Sequence, residues 1–102
     1  MKLLTKELHR KLRESNPENM RPIVKFFNPC GAATWLICHL EDDEDTLWGY
    51  ADLGFGCVEY GTISLNELKS LKLPFGLGVE RDLHWRDNPE VNWLDKESLA
   101  GC

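Results

Sequence analysis

The sequence predicts an α+β fold, an antiparallel sheet of about four to five strands with an N-terminal helix and a second helix packed on it. Three observations predict it. Leucines recur at helical spacing near the start of the chain, and four short runs of β-forming residues follow with turn residues between them. A helix-capping motif then opens a second leucine-patterned run. Short connections favour antiparallel pairing, and helices on such a sheet give two layers.

The first helix is expected within "LLTKELHRKLRESNP", where Leu4, Leu8 and Leu12 share one face. Thr5 can cap its start, because a hydroxyl there accepts from the first unpaired backbone N–H groups. Asn16–Pro17 should end it, because the residue before a proline avoids the helical region.

The strands are expected in the middle of the chain, separated by turns that contain Asn28–Pro29, the acidic run "DDED" and the run "GFG". The second strand is apolar almost throughout, which predicts either burial on both of its faces or a place at the centre of the sheet. The four predicted strands are Ile23–Phe27, Thr34–Glu41, Thr46–Leu53 and Val58–Ile63.

The second helix should begin at Ser64, because Ser64 and Glu67 form S-x-x-E, a capping box in which each side chain binds the backbone N–H of the other residue. A final strand is predicted over Val79–Trp85, with Glu80, Asp82 and His84 on one of its faces. We expect a single domain over residues 1–102, with residues 95–102 frayed.

The composition is that of an ordinary globular domain, with 42% hydrophobic and 28% charged residues. No apolar run approaches the roughly 18 residues of a membrane span, and the first residues lack the apolar core of a signal peptide. These features favour the cytoplasm and exclude a membrane partner.

Charge is unevenly distributed along the chain, whose net charge is −5. Residues 1–25 carry seven Lys/Arg against three acids, a balance of +4, and residues 26–102 carry five against fourteen, a balance of −9. An acidic body repels a phosphate backbone but attracts a basic protein surface. Direct binding of nucleic acid is therefore disfavoured, and a protein partner is favoured.

Three blocks in order, "KFFNPCGAATW", "LWGYADLGFGCVEYGTISLNEL" and "LPFGLGVERDLHW", resemble the uncharacterised bacterial family called domain of unknown function 2958. The resemblance covers roughly residues 2–86, with Tyr60 where the family usually has leucine and Trp48 where it often has phenylalanine. It implies a small soluble protein often carried on plasmids, phages and integrative elements. It implies no agreed activity, cofactor or catalytic residue.

A zinc site is one candidate, with Cys30, Cys38, His39 and Cys57 as ligands. Zinc takes about four N or S ligands, but this spacing matches no recognised pattern. Regular alternation would also put Cys38 and His39 on opposite faces of their strand, so that only one of them joins the site. The alternative makes Cys38 a small buried apolar residue and Cys30 a loop thiol. No cofactor is assigned, with zinc the one considered, and no catalytic residue is expected.

The leading functional hypothesis is a non-enzymatic inhibitor of a host defence nuclease, of the anti-CRISPR or anti-restriction type. It would act by protein–protein contact through an acidic surface with one apolar anchor. The proposed contact residues are Glu41, Asp42, Asp43, Glu44, Asp45, Asp52, Phe55 and Glu59.

Two alternatives remain open. One is a nucleic-acid accessory protein of a plasmid or phage, docking through basic residues of the first helix (Lys2, Lys6, Arg10 and Arg13). The other is a small protein with a structural zinc.

Overall fold

A computed structural model describes residues 3–16, 18, 21–54 and 58–85. Within these residues the predicted α+β fold is confirmed: five antiparallel strands form one sheet, with an N-terminal helix and a second helix. The elements in chain order are α1 (Lys6–Glu14), β1 (Val24–Phe27), β2 (Thr34–Leu40), β3 (Thr46–Asp52), β4 (Val58–Ser64), α2 (Leu65–Ser70) and β5 (Glu80–Arg81), with a short 3-10 turn at Pro74–Gly76 before β5.

The sheet has the strand order β4-β3-β2-β1-β5. The first four strands form a meander, as their short connections require. Their bounds lie within one residue of those predicted. The apolar strand β2 is the central one, which confirms the expectation drawn from its composition.

The last strand is much shorter than predicted. In the ladder, Glu80 and Arg81 pair with β1 opposite Phe27 and Phe26, and the backbone N–H of Asp82 donates one further bond to the Lys25 carbonyl at 2.9 Å. The chain then turns, because the Asp82 carboxylate accepts a hydrogen bond from the backbone N–H of His84 at 2.9 Å. The prediction of a strand through Trp85, with residues 80, 82 and 84 alternating on one face, is therefore wrong beyond residue 81.

Strand β2 contains a bulge. Ile37 lies opposite Gly49, but His39 lies opposite Trp48, so Cys38 is an extra residue in the ladder. The expected regular alternation of Cys38 and His39 therefore fails at this point.

The backbones of β2 and β3 approach closely beside the bulge. A Cβ atom on Gly49 would lie 2.3 Å from the carbonyl oxygen of Leu36 and 2.9 Å from the Cα of Ile37. Only glycine fits there, because these neighbours are backbone atoms that cannot move aside.

The main core lies between the sheet and the two helices. Leu12 of α1 and Leu65 and Leu68 of α2 are buried on it. The sheet residues of this cluster are Val24, Phe26, Trp35, Ile37, Leu40 and Leu47. Leu4 and Leu8 pack against the same cluster, which confirms the leucine face predicted for the first helix.

The opposite face of the sheet carries a second cluster. Cys38 and Tyr50 are buried there, with Leu36, Val58 and Tyr60 packed around them. The Tyr50 and Tyr60 rings meet edge to face at 4.9 Å. Burial, together with the neighbouring Cys38 thiol, raises the pKa of Tyr60 to about 12.

Local hydrogen bonds define the start of α1 and fix the segment before it. The Thr5 hydroxyl accepts from the backbone N–H of Leu8 at 3.1 Å, which confirms the predicted cap. Arg81 of β5 donates to the carbonyl oxygen of Leu3 at 2.9 Å, joining the chain start to the sheet edge. Among the described residues, no helix has the length and apolar character needed to cross a bilayer.

Candidate functional site

The acidic turn, residues 41–45, joins β2 to β3. The backbone N–H of Glu41 donates to the Thr46 carbonyl at 2.8 Å, and that of Glu44 donates to the Glu41 carbonyl at 3.1 Å. Glu44 adopts a left-handed conformation with φ 62°, which is uncommon for a non-glycine residue. The turn is thus a defined structure with five consecutive carboxyl groups.

Asp43 organises the turn from within. Its carboxylate accepts three hydrogen bonds: from the Thr46 hydroxyl at 2.5 Å, the Thr46 backbone N–H at 2.8 Å and the Asp45 backbone N–H at 2.9 Å. These bonds, led by that of the Thr46 hydroxyl, lower the pKa of Asp43 below its usual value. The residue therefore has a structural role, whatever else it contacts.

Asp45 fastens the turn to the second helix. Its carboxylate accepts from the Ser64 hydroxyl at 2.9 Å and from the backbone N–H of Asn66 at 2.8 Å, and its carbonyl accepts from Leu65 N–H at 2.8 Å. The Ser64 hydroxyl accepts from Glu67 N–H at 3.1 Å, which confirms that half of the predicted capping box. Asp45, a distant residue, supplies further acceptors to the start of α2.

The other acids of the turn are also engaged. Asp42 pairs with Arg13 of α1 at 2.9 Å, and Glu44 lies 2.5 Å from the His9 ring nitrogen Nε2. Glu41 accepts from the Trp48 indole N–H at 2.6 Å. With one arginine against five carboxylates, the turn keeps a net charge of about −4 when the histidine is neutral.

The acids of the turn differ in how far their side chains are exposed to solvent. The side chain of Asp42 is 98% exposed and that of Glu44 is 55% exposed despite their ion pairs. Asp43 is exposed but bound within the turn, while Glu41 and Asp45 are half-buried. Asp42 and Glu44 are therefore the acids best placed to meet another molecule.

The remaining predicted contact residues lie at the opposite end of the hairpin. Asp52 ends β3, six residues from Thr46, which corresponds to about 20 Å of extended strand. It accepts a hydrogen bond from Gly54 N–H at 3.0 Å. Glu59, exposed on β4, pairs with Ala51 in the ladder at the same end. The predicted acidic surface is thus divided between two ends, and Phe55 lies outside the described residues.

The candidate zinc ligands are not assembled by the described part of the chain. Cys30 is an exposed loop thiol whose Sγ lies 3.8 Å from the Pro74 carbonyl, whereas Cys38 is buried beside Tyr50. His39 Nδ1 lies 3.0 Å from the Ser15 hydroxyl. Cys57 lies outside the described residues, and within them no three potential metal ligands converge.

The basic residues of α1 are largely engaged by acids. Arg10 pairs with Glu14 at 3.1 Å, and Arg13 pairs with Asp42 and donates to the Leu40 carbonyl at 3.2 Å. Lys2 lies outside the described residues. The helix face thus offers less unpaired positive charge than its sequence suggests.

Sequence reasoning missed a cleft of about 1030 Å³ between α1, α2 and residues 76–80. Its apolar lining comprises Leu3, Leu4, Leu65, Leu68, Leu77 and Val79, and its polar lining includes His9 and the charged residues Lys6, Glu44, Lys69 and Glu80. Beside it stands the apolar loop, residues 71–77, with Phe75 96% exposed at its tip. The run "LKLPFGL" was the available signal, because so many apolar residues around a Pro-and-Gly turn are hard to bury together.

Comparison with known proteins identifies a family. Residues 2–101 match the family model described as "Protein of unknown function (DUF2958)". No curated protein and no solved structure matches this chain.

Proposed function

This chain belongs to the family of proteins of unknown function DUF2958, and we propose from its own residues that it is a non-enzymatic inhibitor of a host defence nuclease. It would be made by a mobile genetic element, as the family resemblance suggests, and act in the bacterial cytoplasm. Inhibition would come from the acidic turn occupying the basic surface on which a CRISPR effector or a restriction enzyme holds nucleic acid.

The observation that carries the proposal is the acidic turn itself. Five successive carboxylates form one ordered turn, held by the hydrogen bonds of Asp43 and Asp45. The most exposed of them, Asp42, faces solvent at 98% exposure. A pre-ordered cluster of charge loses little conformational entropy on binding, which favours affinity for a basic surface.

The second acidic end, Asp52 with Glu59, fits the same proposal. Channels that hold a nucleic-acid backbone carry positive charge over many nucleotides. Two acidic ends about 20 Å apart on one rigid hairpin can therefore meet a single channel. The basic residues of α1 would not contact the nuclease, because Arg10 and Arg13 are already paired to acids of this chain.

The test is binding to purified CRISPR effectors and restriction enzymes with their nucleic acid absent, compared with binding when it is present. The decisive variant is Asp42→Asn/Glu44→Gln, which removes two exposed charges and keeps the structural Asp43 and Asp45. We expect at least about tenfold weaker binding, and binding by the unaltered chain that weakens as salt rises.

A matched control is Glu7→Gln/Glu14→Gln. It also removes two exposed carboxylates and two ion pairs, those with Lys11 and Arg10, but it leaves the acidic turn intact. Equal loss of binding in the two double variants would refute a specific role for the turn. Failure of every tested nuclease to bind, or binding that is indifferent to both its nucleic acid and salt, would reject the proposed function. Genes for host-defence targets or mobile-element functions beside this gene would identify the first nucleases to test.

A further inference from the structure

Phe75 is presented to solvent in a conformation that costs the isolated protein energy. It has φ 65°, in the left-handed region, where a bulky residue is a genuine outlier. Its side chain is 96% exposed. A glycine would occupy this position without strain, so the phenylalanine contributes little to the stability of the monomer.

The loop that carries Phe75 is ordered by its own backbone. The N–H of Leu73 donates to the Leu77 carbonyl at 2.9 Å, and the N–H of Leu77 donates to the Pro74 carbonyl at 3.3 Å. Leu71 and Leu77, at the two ends of the loop, are 38% and 42% exposed. The aromatic ring is thus held on a small apolar platform, which is typical of a contact that anchors a protein interface.

A cavity whose lining is partly apolar lies immediately beside this projection. Gly76 and Leu77 of the apolar loop line the cleft, together with Leu65, Leu68 and Val79. The cleft volume of about 1030 Å³ is ample for an aromatic side chain. The cavity lining therefore begins at the residue that follows Phe75 in the chain.

The position of the projection beside the cavity indicates which molecule binds in the cleft. In a two-fold dimer the same surface patch of each copy forms the interface. The projection of each copy can therefore enter the cavity of the other, which gives two equivalent contacts. We propose that a second copy of this chain docks on this face, with Phe75 of each copy in the cleft of the other.

The charges around the cleft fit a second copy better than a strongly basic or acidic partner. The charges of Lys6 and Lys69 balance those of Glu44 and Glu80, so the lining residues of the cleft carry no net charge, although the chain carries a net charge of −5. A standard interface buries about 800 Å² on each partner, roughly an eighth of the 6636 Å² surface of this chain.

The test is sedimentation equilibrium of the full chain over about 1–200 µM, a range that begins at the weak, micromolar end of the affinities known for standard-size interfaces. We expect a reversible monomer–dimer equilibrium for the unaltered protein. Phe75→Gly should weaken it by about tenfold or more, because it removes the central aromatic contact. Its circular dichroism and melting temperature should show an intact fold, since the removed ring contacts solvent.

Two controls make the result specific. Leu53→Ala truncates another exposed hydrophobic residue, 52% exposed at the end of β3, and it should leave dimerisation unchanged. Lys69→Glu reverses a charge that lines the cleft and should weaken the dimer. Lys11→Glu makes the same change at an exposed lysine of α1 that does not line the cleft, and it should leave dimerisation unchanged.

A protein that stays monomeric up to about 200 µM would overturn the proposal. The occupant of the cleft would then have to be a different protein. A dimer that Phe75→Gly and Leu53→Ala weaken equally would also overturn it. Open-ended assembly that grows with concentration would refute the two-fold arrangement.

Discussion

The acidic turn and the apolar loop each hold a non-glycine residue in the left-handed region, Glu44 at φ 62° and Phe75 at φ 65°. In the acidic turn the surroundings offset the strain, because Asp43 alone accepts three hydrogen bonds and Glu44 lies against His9. In the apolar loop two backbone hydrogen bonds stabilise the turn, and the phenylalanine ring is almost wholly exposed.

This difference in surroundings suggests how to distinguish backbone strain that the fold explains from backbone strain that serves a function. A left-handed residue in a dense hydrogen-bond network is explained by the fold. One whose side chain is displayed to solvent is better explained by a binding partner. By this criterion the hydrogen bonds of the acidic turn account for its left-handed residue, whereas the exposed, left-handed Phe75 is what the proposed dimer contact would explain.

Both turns depend on the sheet for their positions, because the acidic turn joins β2 to β3 and the apolar loop leads from α2 towards β5. A substitution at Gly49, where β2 and β3 approach closely, should therefore have the largest effect of those described below. Gly49→Ala would force a Cβ to 2.3 Å from the Leu36 carbonyl oxygen. We expect a loss of at least about 3 kcal/mol in the free energy of unfolding, measured by urea denaturation.

The control is the ladder partner of that glycine, Gly61, where an added Cβ would meet nothing within 4 Å. Gly61→Ala should be neutral or stabilising by up to about 1 kcal/mol. Equal destabilisation by the two substitutions would mean that β2 and β3 are not in such close contact.

The structural role of the acidic turn is tested by Asp45→Ala. This change removes the acceptor for the Ser64 hydroxyl and the Asn66 N–H, so α2 should lose part of its N-terminal support. We expect a loss of about 2 kcal/mol in unfolding free energy. Asp42→Ala should change it by less than about 0.5 kcal/mol, because its pair with Arg13 is formed by a fully exposed carboxylate.

The two strained residues can be compared directly by glycine substitution. Phe75→Gly should raise the unfolding free energy by about 0.5–1 kcal/mol at concentrations where the chain is monomeric, because it relieves strain and removes no internal contact. Glu44→Gly relieves similar strain but also loses the pair with His9, so its net effect should be near zero. A loss of stability in Phe75→Gly, measured by thermal melting, would show that the ring packs within the monomer.

Lowering the pH should destabilise the acidic turn and not the apolar loop. The resulting change in melting temperature is the smallest effect predicted here. The pKa of Asp43 is lowered by the Thr46 hydroxyl and by backbone N–H groups, so the unfolded chain binds its proton more readily than the folded chain. The stabilisation is therefore present above the ordinary value of 3.8 and is lost as the pH falls through the lower folded value.

Melting temperatures measured from about pH 5 down to about pH 2 should fall, and Asp43→Asn should flatten that fall in part. Asp82 contributes with the same sign, because its pKa is lowered first by the His84 N–H. The apolar loop has no carboxyl group. An acid dependence unchanged in Asp43→Asn would remove Asp43 as its source.

Much of the fold was predictable because its signals are local. The Thr5 and Ser64 caps need only a hydroxyl three residues before a helical N–H. The central position of β2 follows from its apolar composition. The last strand was overpredicted because an aspartate at residue 82 favours a turn over continued pairing.

The candidate site was less predictable, because its decisive contacts join residues far apart in the chain. The run of acids was visible, but the roles of its members were not: Asp45 supports a helix about twenty residues later, and Asp42 meets α1. The cleft depends on where two helices land on the sheet, which no local spacing encodes.

The sequence by itself determined which segments become helices and strands, where most of them begin and end, and that the body is acidic. Those properties depend on side-chain spacing, capping groups and composition within a few residues. Only the tertiary structure decided the bulge at Cys38, the division of the acids between two ends of a hairpin, and the exposure of Phe75 beside a cleft. Strand register and helix packing set these features, and both are settled by contacts between distant parts of the chain.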